Sequence, residues 1–321
     1  MQMTVYSVQP EEIPIFHRLE AETGCRFTLV DAPPTPENDH FLQGADAVNV
    51  ISSVVITPEI WDAWKASGIR LAVTRTIGDE HMNRTYGESL GIPVYRITYS
   101  PASVADFAIM LMLMVLRNVK PTLLRYAGGD YTVSGLRGRE LPELTVGVLG
   151  AGRIGSTVIK HLQGFGCRVL YWSRTRKPEL ESLAEYRELD GLLAESDVLS
   201  LHLAAVPETL HLLDRDRIFS MKPGAVLINT ARGTLVDSEA LIEALEQGHL
   251  SGAGLDVFDG DRTIYYRDFK NTPVHHRQMA ILNAMPNVLM LPHIAYYTDR
   301  AVEDMVVHSV EQALAALAEN G

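Results

Sequence analysis

Cysteine is scarce: Cys25 and Cys167 are the only two in 321 residues. Two cysteines cannot build a disulfide scaffold, and a reduced, cytoplasmic setting is the simple expectation. Long hydrophobic runs are missing as well. The longest, Phe107–Leu116, is too short to span a bilayer. The N-terminus, Met1-Gln2-Met3-Thr4-Val5-Tyr6, has no basic region ahead of an apolar core, so neither a membrane span nor a signal peptide is expected. Positive charge is in deficit. With 28 Lys+Arg against 40 Asp+Glu the net charge is −12, which argues against a nucleic-acid surface. The 11 histidines form no H-E-x-x-H, and C-x-x-C is absent. His275 and His276 are adjacent in a polar loop, where their side chains diverge, so no metal site is expected. Gly-x-Ser-x-Gly is also absent, which removes the strand-to-helix elbow of a serine hydrolase.

What is present reads as a globular α/β protein. Hydrophobic residues make up 46% and charged residues 21%, and the length suits two domains. Strand-like runs at Thr4–Val8, Arg26–Val30, Ala47–Ile51, Leu71–Thr74 and Val94–Ile97 alternate with helical stretches such as Pro58–Ser67. This is the pattern of a parallel sheet. Asp31–Asn38 is proline-rich and reads as a loop. Ser100 suits a helix N-cap and Pro101 the first helical position of a segment running to about Asn118. That helix is apolar almost all round, so it is expected to be buried in a core or against a partner subunit. Residues 126–144 read as a linker. A second α/β series follows, with strands expected at Thr145–Leu149, Arg168–Trp172, Val198–Leu203, Val226–Asn229, Gly254–Phe258 and Val288–Leu291. Helices fit Ile154–Phe165, part of Glu208–Ile218, Ser238–Gln247 and Arg300–Ala318.

The second series opens on a glycine motif. Gly150, Gly152 and Gly155 form G-x-G-x-x-G between an apolar strand and a helix. Such a turn brings backbone N–H groups and a helix N-terminus to a pyrophosphate, so a dinucleotide site is expected. The next strand ends at Tyr171-Trp172-Ser173. An acid is the usual ligand there for the adenosine ribose diol. Serine stands in its place, followed by Arg174, Thr175, Arg176 and Lys177. A carboxylate would repel a 2′-phosphate, whereas a hydroxyl and a guanidinium can hydrogen-bond one. The expectation is a preference for NADP(H), with NAD(H) as the other option.

Three further stretches stand at strand ends, where an open parallel sheet places its ligands. They are Leu227–Asp237 with Arg232, Gly254–Asp261 with its acids, and Leu291–Thr298 with His293. Together with the glycine motif they resemble the D-isomer-specific 2-hydroxyacid dehydrogenases across essentially the whole chain. Thr74-Arg75-Thr76-Ile77-Gly78, the stretches Tyr99–Asp106, Gly164–Leu170 and His293–Thr298, and the long loop Asp261–Met279 look closest to the D-lactate dehydrogenases of the vancomycin-resistance type.

The resemblance implies two Rossmann-like doubly wound domains. One is a flavodoxin-like substrate domain over 1–99 plus 297–321, closed by the C-terminal helix. The other is a dinucleotide-binding domain over 100–296. It implies that Arg232 binds the substrate carboxylate and polarises the 2-oxo group, and that His293 donates a proton to the carbonyl oxygen during reduction. A carboxylate at Asp261 would pair with His293 and favour its protonated form. Cofactor contacts are implied at Gly150, Gly152, Arg153, Ile154, Gly155, Ser173, Arg174, His202, Thr230, Ala231 and Asp256. Backbone N–H groups of Ile77 and Gly78 would complete the carboxylate site, with Tyr99 and Tyr297 as pocket walls. Closure of an interdomain cleft would exclude water.

One departure stands out. The family usually carries glutamate as the partner of the histidine, and this chain has Asp261, one methylene shorter. Asp259 is a nearby substitute that fits the motif less well.

The implied activity is NAD(P)H-dependent reduction of a 2-oxo acid, pyruvate to D-lactate, in a homodimer built on the helix that begins at Pro101. Beside a D-alanine–D-lactate ligase, the product would feed altered peptidoglycan precursors. Two other readings stay open: a dehydrogenase for a larger branched or aromatic 2-oxo acid, and a non-catalytic dinucleotide-sensing regulator of the same fold.

Overall fold

The computed structural model describes residues 1–52 and 54–319. The chain divides into two compact units: Met1–Ser100 together with the segment from Tyr297 onward, and Pro101–Tyr296.

The first unit holds strands β1 (Gln2–Val5), β2 (Arg26–Leu29), β3 (Ala47–Val50), β4 (Leu71–Thr74) and β5 (Val94–Arg96). Its helices are α1 (Ile13–Thr23), α2 (Pro58–Ala66) and α3 (Arg84–Ser89). The sheet is wholly parallel, in the order β2-β1-β3-β4-β5. That is the flavodoxin-like order. β3 and β4 are buried along their full length, as parallel strands covered on both faces must be. Trp61 and Trp64 of α2 meet edge to face at 4.8 Å and are fully buried. Gly87 of α3 makes room for them, since a Cβ there would lie 2.6 Å from the Trp61 ring. The C-terminal helix, Asp299–Glu319, packs on β4, β5 and α1.

A buried charge pair fixes the turn after β4. The Arg75 guanidinium is wholly buried. It donates to both Glu12 carboxylate oxygens (3.0 and 3.3 Å), to Asn49 Oδ1 (2.9 Å) and to the Tyr6 carbonyl (3.1 Å). A guanidinium so placed is stable only with this many partners, and its position sets where residues 76–78 emerge.

The second unit begins with α4 (Ala102–Leu116) and α5 (Val119–Ala127). It continues β6 (Thr145–Leu149), α6 (Arg153–Leu162), β7 (Arg168–Trp172), β8 (Glu185–Tyr186), α7 (Leu189–Glu195), β9 (Val198–Leu201), α8 (Arg215–Ser220), β10 (Ala225–Asn229), α9 (Ser238–Glu246), β11 (Leu250–Leu255), α10 (Arg277–Ala284) and β12 (Val288–Met290). Its seven strands run parallel in the order β12-β11-β10-β9-β6-β7-β8. The winding direction reverses between β6 and β9, which is where a doubly wound sheet opens a crevice for its ligand.

Several boundaries differ from the sequence reading. The helix expected to start with Ser100 as its cap begins at Ala102, and no side chain caps it. The Ser100 amide is instead held by Asp304 of the C-terminal helix at 2.9 Å. α4 is not buried on every side, because Asp106 and Met110 are exposed. The rest of it packs on α6, β10 and β11 inside its own unit. β11 ends at Leu255 rather than Phe258, and the short strand β8 is additional. A 3-10 turn over Pro36–Leu42 occupies the end of the proline-rich loop. Among the described residues, no single helix is long and apolar enough to cross a membrane.

Candidate active site

The glycine turn stands at the reversal point of the second sheet. Gly150 has φ +104°, and a Cβ there would lie 2.7 Å from the His202 carbonyl that follows β9. A Cβ on Gly155 would lie 1.9 Å from the Gly150 carbonyl. Both positions therefore require glycine for close backbone approach. Gly152 is different: an added Cβ meets nothing within 4 Å, so the space above it is open. It is the N-cap of α6 and supplies no side-chain cap. The amides of Arg153 and Ile154 face that opening at the positive end of the helix dipole.

Other cofactor candidates line the neighbouring strand ends. Thr230 follows β10, is buried, and its Oγ1 has no hydrogen-bond partner among the described residues. A buried hydroxyl without a partner is costly, so this one fits a ligand polar group. The Ala231 amide is taken by Asn229 Oδ1 at 3.0 Å. His202 Nε2 sits 2.8 Å from Ser200 Oγ, and burial pushes its imidazole down to about 3, which favours the neutral ring. Open helix amides, an orphaned hydroxyl and a neutral imidazole fit a pyrophosphate and the nicotinamide half of a dinucleotide. At the end of β7, Ser173 is buried and donates to the Thr175 carbonyl at 2.5 Å. Arg174 is exposed, while Arg176 lies over the Tyr186 ring at 4.3 Å.

Arg232, Asp261 and His293 come from the ends of β10, β11 and β12. Asn229 shapes the first turn: its Nδ2 donates to the Arg232 carbonyl at 2.9 Å, while Oδ1 takes the Ala231 amide. Gly233 then touches the segment after β11, where a Cβ would lie 1.9 Å from the Phe258 carbonyl carbon. This contact brings the Arg232 turn beside Asp261. Burial raises the Asp261 carboxyl to about 6, opposed by the charges of Arg262 and Arg232. His293 Nδ1 lies 3.7 Å from Asp261 Oδ2. Asp259, the rival partner, is half-buried and stands 3.6 Å from His211 instead.

The backbone of His293 is held from two sides. Its φ is +57°, an uncommon conformation for a residue with a side chain. Its amide donates to the Asp256 carbonyl at 2.9 Å. The fully buried Asp256 carboxylate accepts the next two amides, Ile294 at 3.0 Å and Ala295 at 2.8 Å. Asp256, read from sequence as a cofactor contact, thus orders the histidine loop. On the other side the Tyr266 hydroxyl donates to the His293 carbonyl at 2.9 Å. The sequence reading assigned nothing to Tyr266. Its only signal was the aromatic character of the long loop Asp261–Met279.

Four candidates belong to the first unit. The amides of Ile77 and Gly78 have no acceptor among the described residues. The turn that carries them is braced by Thr76 Oγ1, which donates to the Gly78 carbonyl at 2.6 Å. Two free amides on a braced turn suit a carboxylate. Tyr99 is half-buried and Tyr297 exposed. No cluster of three or more His, Cys, Asp or Glu side chains among the described residues could hold a metal ion.

Residues 109–295 match the family model described as D-isomer specific 2-hydroxyacid dehydrogenase, NAD binding domain. The chain belongs to the D-isomer-specific 2-hydroxyacid dehydrogenases. It is 38% identical to a D-specific alpha-keto acid dehydrogenase of Enterococcus faecium, over 97% of this chain and 96% of that one. It is 33% identical to an aromatic 2-oxoacid reductase of Clostridium sporogenes, over 95% and 93% of the two chains. A solved D-lactate dehydrogenase of Aquifex aeolicus, complexed with NAD and lactic acid, superposes with a TM-score of 0.87 at 32% identity and covers 99% of this chain and 96% of that one. Membership makes the chain an oxidoreductase with a nicotinamide-dinucleotide domain. The relatives' names differ in the 2-oxo acid, which leaves this D-2-hydroxyacid dehydrogenase to be read from its own side chains.

Proposed function

We propose that the chain reduces a small 2-oxo acid, pyruvate to D-lactate, with His293 as proton donor. The observation that carries this reading is the His293–Asp261 pair at 3.7 Å, beside the turn that presents Arg232. When bound in the second unit, a reduced nicotinamide supplies the hydride delivered to C2 of the substrate. Arg232 holds the substrate carboxylate in two parallel hydrogen bonds and draws charge toward the 2-oxo oxygen. His293 gives its proton to that oxygen as charge develops there, and takes it back in the oxidative direction. Ionised Asp261 keeps the imidazole in its charged form. The amides of Ile77 and Gly78 offer a second pair of donors for a carboxylate.

Cofactor choice turns on the end of β7. With its hydrogen directed to the Thr175 carbonyl, Ser173 can only accept, so a 2′-phosphate depends on the exposed guanidinium of Arg174. We read this as acceptance of NADPH alongside the NAD(H) use typical of the family domain. A second copy of the chain is the proposed cover for the exposed apolar side chains Leu123, Leu124, Tyr126, Tyr131 and Val133. They lie on α5 and just after it, not on α4. A place in vancomycin resistance needs a D-alanine–D-lactate ligase encoded nearby.

Steady-state kinetics over pyruvate, branched and aromatic 2-oxo acids, each with NADH and NADPH, test the assignment. The highest kcat/KM is expected for pyruvate. A clear preference for an aromatic acid would replace D-lactate by a larger product. Cofactor binding without turnover on any of them would favour the regulator.

A further inference from the structure

The loop Asp261–Met279 carries two adjacent tyrosines that do different things. Tyr265 is buried against Phe258, ring centroids 5.2 Å apart at 85°, in a small apolar cluster with Ile264, Phe269, Met279 and Met290. This cluster fixes the loop to the end of β11 and β12. Tyr266 follows with φ +65°, a left-handed turn that reverses the direction of its side chain. Its hydroxyl reaches the His293 carbonyl at 2.9 Å, and its ring lies 5.9 Å from the imidazole at 38°.

That contact adds a tie on the carbonyl side of His293 to the one through its amide and to the Asp256 carboxylate beyond it. The left-handed φ of His293 is strained for a residue with a side chain and persists only where its surroundings hold it. A second tie on the carbonyl side removes the freedom of the peptide to rotate, and with it the freedom of the imidazole to leave the Asp261 side. The 3.7 Å separation from Asp261 is longer than a hydrogen bond, so the ion pair alone does not fix the ring.

We infer that Tyr266 is a positioning residue for this dehydrogenase, holding His293 in the geometry for proton transfer through its carbonyl. The inference rests on His293 being the proton donor. Tyr266 is about half exposed and lies outside the apolar cluster of Tyr265, so removing its hydroxyl, which also meets the Tyr296 side chain, leaves that cluster in place.

The test is a double-mutant cycle on kcat with pyruvate: wild type, Tyr266→Phe, His293→Ala and the pair. Tyr266→Phe is expected to lower kcat about tenfold and to leave cofactor Kd, KM and melting temperature near wild type. In the His293→Ala background the same change is expected to do nothing more, because the residue it acts through is gone. The imidazole resonances of His293 should broaden or split in Tyr266→Phe, a spectroscopic check that does not depend on turnover. Unchanged kcat in Tyr266→Phe, or an equal loss in both backgrounds, overturns the positioning role. Wild-type turnover in His293→Ala alone overturns the proton-donor reading and the positioning role with it.

Discussion

His293 Nδ1 stands 3.7 Å from Asp261 Oδ2, while Asp259, two residues earlier, stands 3.6 Å from His211. The two neighbouring acids therefore address two different imidazoles. Asp261 is the buried one, and burial raises its carboxyl to about 6.

This sets a pH dependence with a definite sign. On the proposed mechanism reduction needs protonated His293, so its rate is expected to fall as pH rises through the imidazole pKa. Above about pH 6 Asp261 is ionised and favours the imidazolium, which extends the reductive range upward. Asp261→Asn is expected to move the basic limb of the pyruvate-reduction profile down by about 1 pH unit or more. Asp259→Asn should leave it in place. Profiles of kcat/KM against pH for both variants check this, and a shift in Asp259→Asn alone would exchange the two roles.

At the adenosine end, the prediction concerns charge. Arg174→Ala should raise KM for NADPH about tenfold or more, the scale of one lost charge-assisted contact, with KM for NADH little changed. Ser173→Asp should shift preference toward NADH, by attraction to the ribose diol and repulsion of a 2′-phosphate. Equal effects on both cofactors would return Arg174 to an ordinary surface residue.

Much of the frame was legible because its signals are local. β6 and β7 fall on the apolar runs that mark them, and Gly155 is demanded by its contact with the Gly150 carbonyl inside one strand–turn–helix unit. β11 was misplaced for a nonlocal reason. Gly252 looks like a strand breaker, yet α4 lies directly on it: a Cβ there would be 2.8 Å from Val115, and one at Gly254 3.2 Å from Leu111. Val257 and Phe258 look like strand, yet are buried loop residues beyond its end. α5 went unread although none of its residues is buried, because its nine residues follow the long apolar helix with only Arg117 and Asn118 between them. The clamp on His293 joins Asp256, Tyr266 and the 293–295 loop, segments whose meeting only the sheet order decides.

Gly233 offers a structural prediction tied to the site. A Cβ there would meet backbone atoms of Phe258 and Asp259 at 1.9 to 2.4 Å, and backbone cannot swing away as a side chain can. Gly233→Ala should cost about 1–3 kcal/mol of stability, seen as a lower melting temperature. It should also cut turnover by separating Arg232 from Asp261. Wild-type stability and kcat in this variant would mean the turn tolerates displacement.

The central claim is that this chain reduces a 2-oxo acid with a proton from His293. The most direct measurement follows the loss of reduced nicotinamide with pyruvate, for wild type and His293→Ala, with the cofactor Kd of each measured separately. The account predicts rapid formation of D-lactate by the wild type, and a fall of two to four orders of magnitude in the variant, about the contribution of a general acid, at unchanged cofactor affinity. Equal turnover by the two proteins, or none on any 2-oxo acid despite cofactor binding, would contradict it.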